Sequence, residues 1–169
     1  MRKVTLLLLA VIIICPVFIA CSNSNNVIKP TIGQVPDGWY LTEEHAYGTF
    51  IGDDGGGWGS IKYNDEAGKD LVLIYYGDIP RALRGNETDG DALIELAVQE
   101  SYTFEPTETG TMTIGDHLAG YTRAYNEELG FCQMNIFFVI GSTCVNVYTF
   151  FATSVTDAEQ TASLINSIH

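Results

Sequence analysis

The sequence predicts an α+β domain, a largely antiparallel sheet of about six strands flanked by helices in an α/β/α sandwich. Short runs of β-forming residues recur along the chain and are separated by turn residues. One segment between them has apolar residues at helical spacing, and a second follows Thr156-Asp157-Ala158-Glu159, a helix-capping box. Strands, one helix, more strands and a terminal helix form the order typical of an α+β domain.

Three strands are predicted first, over residues 39–50, 58–63 and 71–76. The segment Gly52 to Gly57 is too rich in glycine for regular structure, because glycine loses the most backbone entropy on ordering. A loop therefore joins the first two strands. Residues 71–76 are apolar throughout, which is typical of a strand covered on both faces.

The helical segment follows a polar stretch that begins at Pro80. Asp89 or Asp91 can cap it, and it is expected to end near Tyr102, before Pro106. Its apolar positions recur at helical spacing, at Leu93, Ile94, Leu96, Ala97 and Val98. Two strands are then expected over residues 111–114 and 119–125.

A long hairpin is predicted from residues 131–140 and 143–151. Alternation places Met134, Ile136 and Phe138 on one face, opposite to Asn135, Phe137 and Val139. Cys144 lies near the turn and Cys132 near the far end, so more than about 20 Å of ladder separates them. A disulfide requires Cα atoms within about 7 Å, and two buried free thiols are therefore expected.

The N-terminus has the pattern of an export signal. Arg2 and Lys3 precede an apolar run, and a small residue, Ala20, precedes Cys21. Phe18-Ile19-Ala20-Cys21 resembles the lipobox of lipoprotein signal peptides, although the usual first residue there is Leu. We therefore predict a signal peptide over residues 1–20, lipid attachment at Cys21, a flexible tether over 21–35 and one globular domain over 36–169. An uncleaved N-terminal helix and simple secretion are the alternatives; lipidation places the domain on the outer face of the cell membrane.

Acidic residues dominate the charge, with 21 acidic against 8 basic residues and a formal net charge of −13. Removal of Arg2 and Lys3 with the signal leaves the mature chain at about −15. Such a surface repels polyanions, so nucleic acid is excluded as a partner.

Three short segments carry a resemblance to a known family: Pro36-Asp37-Gly38-Trp39, the stretch from Ala119 to Tyr125, and the closing Leu164-Ile165-Asn166-Ser167-Ile168. Together with the element order, they make the chain similar to PsbP-like domains, named for an extrinsic subunit of photosystem II. The resemblance implies a compact sheet with helices packed on its faces, often in an assembly or accessory module. No manganese or calcium ligand of that family transfers to this sequence.

No catalytic motif is present, and the chain is not predicted to be an enzyme. The sequence lacks the Gly-x-Ser-x-Gly elbow and the Ser-x-x-Lys pair. Cys132 and His117 are conceivable as a thiol–imidazole pair, but an apolar strand around Cys132 favours a buried inert thiol. The three histidines have no zinc-ligand spacing.

Two local features remain as candidate sites. No cofactor is predicted; Asp53 and Asp54, in the glycine-rich loop, are the candidate ligands if calcium binds. A plain hairpin loop is the favoured interpretation, because the spacing of an EF-hand is missing. Asn86-Glu87-Thr88 matches an N-glycosylation acceptor.

Several predicted strands contain tyrosines, namely Tyr75, Tyr76, Tyr121, Tyr125 and Tyr148. An exposed tyrosine-rich face would suit a partner or a sugar. A helix packed over that face is the interpretation that the apolar strands favour.

These observations give two functional hypotheses. The first is a membrane-tethered, non-enzymatic accessory or protein-interaction module with a protein partner. The alternative is a small-ligand or divalent-cation-binding lipoprotein. An enzyme with scattered catalytic residues is a further, less favoured interpretation.

Overall fold

The computed structural model describes residues 26–68, 70–101, 105–126, 128, 130–152 and 155–169. Over these residues the chain forms seven strands, two α-helices and one 3-10 turn at Arg81–Leu83. The strands are β1 (Trp39–Ile51), β2 (Gly57–Asp65), β3 (Asp70–Asp78), β4 (Glu108–Ile114), β5 (His117–Asn126), β6 (Phe131–Ile140) and β7 (Thr143–Ala152). The helices are α1 (Gly90–Gln99) and α2 (Val155–Asn166).

All seven strands lie in one sheet in the order β1-β2-β3-β7-β6-β5-β4, and every neighbouring pair is antiparallel. Two runs of consecutive hairpins make this order, β1 to β3 and β4 to β7. Gly115 and Gly141 supply the positive φ that the tight turns before β5 and β7 require. The pairing of β3 with β7 joins the two runs into a single sheet.

Side-chain alternation divides the sheet into two faces, which we name after the helix that lies on each. The α2 face carries the larger core, and the predicted grouping of Met134, Ile136 and Phe138 on one face is confirmed there. Phe137 lies on the α1 face, in a smaller core with residues of α1 and the 3-10 turn. The buried members of that smaller core are Leu83, Leu93, Leu96, Ala97, Phe137 and Cys144.

The predicted α/β/α sandwich is wrong. Helix makes up only about 15% of the chain, so the domain is nearly all-β. The helices α1 and α2 have 10 and 12 residues, too few to form a helical layer over seven strands. Within the described ranges, neither helix is long and apolar enough to cross a bilayer.

An extended segment, residues 26–35, lies against the α2 face. Val27 and Ile32 pack on the larger core, and Ile32 forms a β-bridge with Ile168. The backbones of Thr31 and His169 exchange two hydrogen bonds, of 2.9 and 3.0 Å. This part of the predicted tether is therefore packed against the sheet domain, whereas Cys21 lies outside the described residues.

Small and polar side chains of the sheet determine the position of α1, which ends at Gln99. Gly120 lies directly beneath it, and a Cβ there would overlap the backbone of Leu93 and Ile94. The Asn135 amide donates a hydrogen bond of 2.9 Å to the carbonyl of Ala97. The Tyr148 hydroxyl donates one of 2.8 Å to the carbonyl of Glu100. Two carbonyls that the helix end leaves unpaired thereby gain donors from the sheet.

The two cysteines of the β6–β7 hairpin are buried and free, as predicted. Cys144 lies opposite Val139, near the turn, whereas Cys132 lies opposite Phe151, near the far end. They also belong to opposite faces of the sheet. Both the distance along the ladder and the direction of the side chains therefore prevent a disulfide.

We expect Gly120→Ala to destabilise the domain by about 1–3 kcal/mol, because the added methyl group forces α1 away from the sheet. Gly33→Ala is the matched control, since the nearest heavy atom would be 3.5 Å from its Cβ. Urea unfolding of both variants measures the difference. Equal stability of the two variants would contradict the close seating of α1.

Candidate functional site

A groove of about 620 Å³ opens on the α1 face, over the part of the sheet that α1 leaves uncovered. Side chains of β3, β6 and β7 form its floor. One wall is the C-terminal end of α1, and the other is the β1–β2 hairpin tip with the 3-10 turn. We call this feature the sheet groove.

Aromatic rings dominate the floor and the outer edge of the sheet groove. Phe50, Tyr75 and Tyr148 form an edge-to-face series across β1, β3 and β7, with centroid distances of 6.2 and 6.1 Å. Trp58, Phe137 and Phe150 complete the aromatic lining. Because side chains alternate along a strand, rings two residues apart, such as those of Tyr148 and Phe150, reach the same face.

Two buried amides, Gln133 and Asn146, interrupt this apolar surface. Each is only 6% exposed, and both line the sheet groove. Among the residues that the structure describes, five buried side-chain oxygens lack a hydrogen-bond partner, and those of Gln133 and Asn146 are the two that line the sheet groove. Such groups are rare in folded proteins, since leaving a buried acceptor unpaired costs about 1–3 kcal/mol. An amide carries both a donor and an acceptor, so these two side chains can meet either kind of ligand group.

The rim of the sheet groove has charges of both signs: Asp53, Asp54 and Glu100 against Arg81. Asp54 shapes the rim, because one of its oxygens accepts the Gly56 N–H at 3.0 Å and the other accepts the Arg81 N–H at 3.2 Å. The bond from Gly56 holds Asp54 within the hairpin tip, and the bond from Arg81 joins that tip to the 3-10 turn.

Asp78, at the end of β3, holds the base of the same hairpin tip. One carboxylate oxygen accepts the Tyr47 hydroxyl and the Gly57 N–H, each at 2.8 Å. The hydrogen bond to Asp78 is the main cause of the raised pKa of Tyr47; burial and the nearby negative charge raise it further. The wall therefore rests on two acidic side chains that accept backbone and hydroxyl donors.

The sequence-predicted candidate sites are not gathered at one place. Asp53 is exposed, and both oxygens of Asp54 face N–H groups. Over the described ranges, no group of three or more acidic, histidine or cysteine residues could hold a metal ion. Asn86 is exposed just after the 3-10 turn, where its N–H bonds to the Leu83 carbonyl.

The thiol–imidazole pair is not assembled. His117 lies opposite Ile114 at one end of β5, whereas Cys132 lies opposite Tyr125 near the other end. Burial raises the pKa of the Cys132 thiol, which makes the thiolate scarcer at neutral pH.

The tyrosines divide between covered and uncovered positions. Tyr76 is buried in the larger core, and Tyr125 is 47% exposed. The expectation that a helix covers the tyrosine-rich face is wrong for Tyr75 and Tyr148, because α1 lies over β5 and β6 instead.

The sequence analysis did not select Gln133 or Asn146 as site residues, although amides within apolar strands were a visible signal.

Comparison with known proteins gives little further information. No family model matches this chain, and no curated protein does. A crystal structure from Bacteroides thetaiotaomicron VPI-5482, at 1.50 Å resolution, is similar, with 14% sequence identity and a TM-score of 0.45. The match covers 83% of this chain and 47% of that one, so this chain spans about half the length of that protein.

We expect Asp54→Ala to lower the free energy of unfolding by about 1 kcal/mol, because two backbone donors lose their acceptor. The matched control is Asp53→Ala, an exposed carboxylate on the same loop, which should change stability by less than about 0.5 kcal/mol.

Millimolar calcium should leave the melting temperature of the unsubstituted protein unchanged. A calcium-dependent rise that both substitutions abolish would instead establish the candidate calcium site.

The Tyr47–Asp78 hydrogen bond predicts that the stability difference between Tyr47→Phe and the unsubstituted protein depends on pH in the alkaline range. Because the folded pKa of Tyr47 is raised above its usual 10.0, the bond stabilises the protein below pH 10 and is lost as the pH rises through the folded value. We expect Tyr47→Phe to be less stable than the unsubstituted protein by about 0.5–1 kcal/mol at pH 7. Urea unfolding at a series of pH values should show this gap closing above pH 10. A gap that persists unchanged to pH 12 would argue against the bond.

Proposed function

We propose that this domain binds a small solute in the sheet groove. One observation carries the proposal. The sheet groove has a volume of about 620 Å³, and its aromatic floor is interrupted by the buried, unpartnered oxygens of Gln133 and Asn146. Ligand sites in proteins are concave, mostly apolar, about 300–1,000 Å³ in volume, and contain a few placed polar groups. The sheet groove has each of these properties.

The amides favour a binding role over a packing role. A core that serves stability alone would have apolar residues at positions 133 and 146, because each unpaired oxygen costs free energy. Violations of this kind concentrate at functional sites, where a bound molecule supplies the missing hydrogen bond. The two amides lie on adjacent strands, β6 and β7, with Gln133 opposite Phe150 and Asn146 opposite Phe137. They are therefore about 13 Å apart along the ladder, and a ligand that meets both must span that length.

The walls favour a preformed site. Helix α1 is held by the bonds from Asn135 and Tyr148, and the hairpin tip by Asp54 and Asp78. A site whose walls are already placed loses less conformational entropy when its ligand binds. The concave shape also favours a small solute over a protein partner, the first hypothesis from sequence, since a stable protein interface buries about 800 Å² on each partner.

The predicted cellular address is part of the proposal. Lipid attachment at Cys21 would hold the domain on the outer face of the membrane, where it would meet solutes from outside the cell. Anionic solutes are disfavoured by the net charge of −13.

Ligand-observed NMR with a chemically mixed fragment library tests the proposal on the purified full-length chain. We expect a set of fragments that bind the unsubstituted protein and lose at least tenfold in affinity with Phe50→Ala or Tyr75→Ala. Both positions contribute aromatic surface to the sheet groove, and Phe50 is 40% exposed, so its truncation leaves the core intact.

Tyr125→Ala is the matched control, because it removes an exposed ring from β5, on the opposite face of the sheet. It should leave fragment binding unchanged. An absence of fragments whose binding depends on Phe50 or Tyr75 would refute a binding role for the sheet groove.

A further inference from the structure

We infer that the solute bound in the sheet groove is a neutral carbohydrate, of the size of a short oligosaccharide. This inference rests on the proposed binding function and specifies its ligand class. Three properties of the site support it: the tilt of the aromatic rings, the buried amides and the mixed charge of the rim.

The ring geometry disfavours a flat aromatic ligand. Phe50 and Tyr75 are inclined at 81° to each other, and Tyr75 and Tyr148 at 87°. Successive rings therefore form no common plane on which an extended planar ligand could stack. A sugar ring is puckered and has faces rich in C–H groups and an edge of hydroxyls. A sugar can therefore place its C–H face on one aromatic ring while its hydroxyl edge meets the next aromatic ring.

The amides disfavour a hydrocarbon ligand. A fatty acyl chain would cover Gln133 and Asn146 and leave their oxygens without donors, at the full cost of desolvation. Sugar hydroxyls both donate and accept, so they can pair with the oxygen and the NH₂ group of each amide. Exposed Gln99, on the α1 wall, adds a third amide to the lining.

The charges disfavour an anionic ligand. Asp53 and Glu100 on the rim, and the acidic chain as a whole, repel an anion. A neutral ligand with many hydroxyls avoids this repulsion, and both carboxylates and the guanidinium group of Arg81 can hydrogen-bond to hydroxyls. The volume of about 620 Å³ lies within the range of sites for ligands of drug size, which suits a short chain of sugars.

The inference is tested by saturation-transfer NMR and calorimetry on the full-length chain. The probes are neutral oligosaccharides with different linkages: maltohexaose, cellohexaose, xylohexaose and mannohexaose. Oligogalacturonate and oligoglucosamine of the same length serve as the anionic and cationic comparators. We expect at least one neutral probe to bind and to exceed the anionic comparator in affinity by at least tenfold. An oligoglucosamine that binds more tightly than every neutral probe would overturn the neutral character of the ligand.

Two substitutions connect such binding to the sheet groove. Tyr75→Ala should weaken it at least tenfold by removing a stacking surface. Asn146→Leu should weaken it equally while leaving the protein as stable as before or more stable, because a buried unpaired oxygen is removed. Tyr125→Ala should have no effect. A stabilised Asn146→Leu variant that still binds fully would overturn the role of the amide.

The fragment library separates this inference from the proposed function. If glycosides and polyols dominate the fragments whose binding depends on Tyr75, the carbohydrate inference holds. If those fragments are planar aromatic or charged, and no neutral oligosaccharide binds, the sheet groove is a binding site but the inference is overturned. If no fragment binds there, both fall together.

Discussion

The pairing of β3 with β7 is the constraint on which the rest of the structure depends. Each run of hairpins, β1 to β3 and β4 to β7, has its own local turns, but neither encloses a core. Their junction sets Tyr75 opposite Asn146 and Leu73 opposite Tyr148, which creates the floor of the sheet groove. It also brings Ile74 against Val147 on the other face, where the larger core is centred. A slip by one residue would exchange the two faces of every strand in the second run.

The sheet groove exists because the helix is small relative to the sheet. Seven strands at about 4.8 Å spacing span about 29 Å, whereas a helix of 10 residues is about 15 Å long and about 10 Å wide. Gly120 and Asn135 place α1 towards β5 and β6, at one side of the face. The remaining side keeps its aromatic residues half-exposed, with the hairpin tip as the opposite wall. The surface proposed for binding is therefore the part of the sheet that the short helix leaves uncovered.

Local patterns in the sequence were enough to locate the strands but not to assemble the site. The alternation of Met134 and Phe137 correctly separated the faces of β6, because a period of two residues is a property of any extended chain. The area that each helix covers is set by tertiary packing, and that is why the predicted sandwich failed. Phe50 and Asn146 are far apart in the chain and meet at the sheet groove only through the pairing of four strands. No local pattern in the sequence indicates how these four strands pair.

The segment 26–35 determines where a force on the N-terminal part of the chain would act on the domain. It lies on the α2 face and is fastened to the C-terminal end through Thr31, Ile32, Ile168 and His169. The sheet groove opens on the opposite face. A pull on the chain before residue 26 therefore acts first on this bridge between the two ends of the domain, and the sheet, as a single layer, separates that bridge from the sheet groove. The domain can thus be held from one side without tension reaching the surface that we assign to binding.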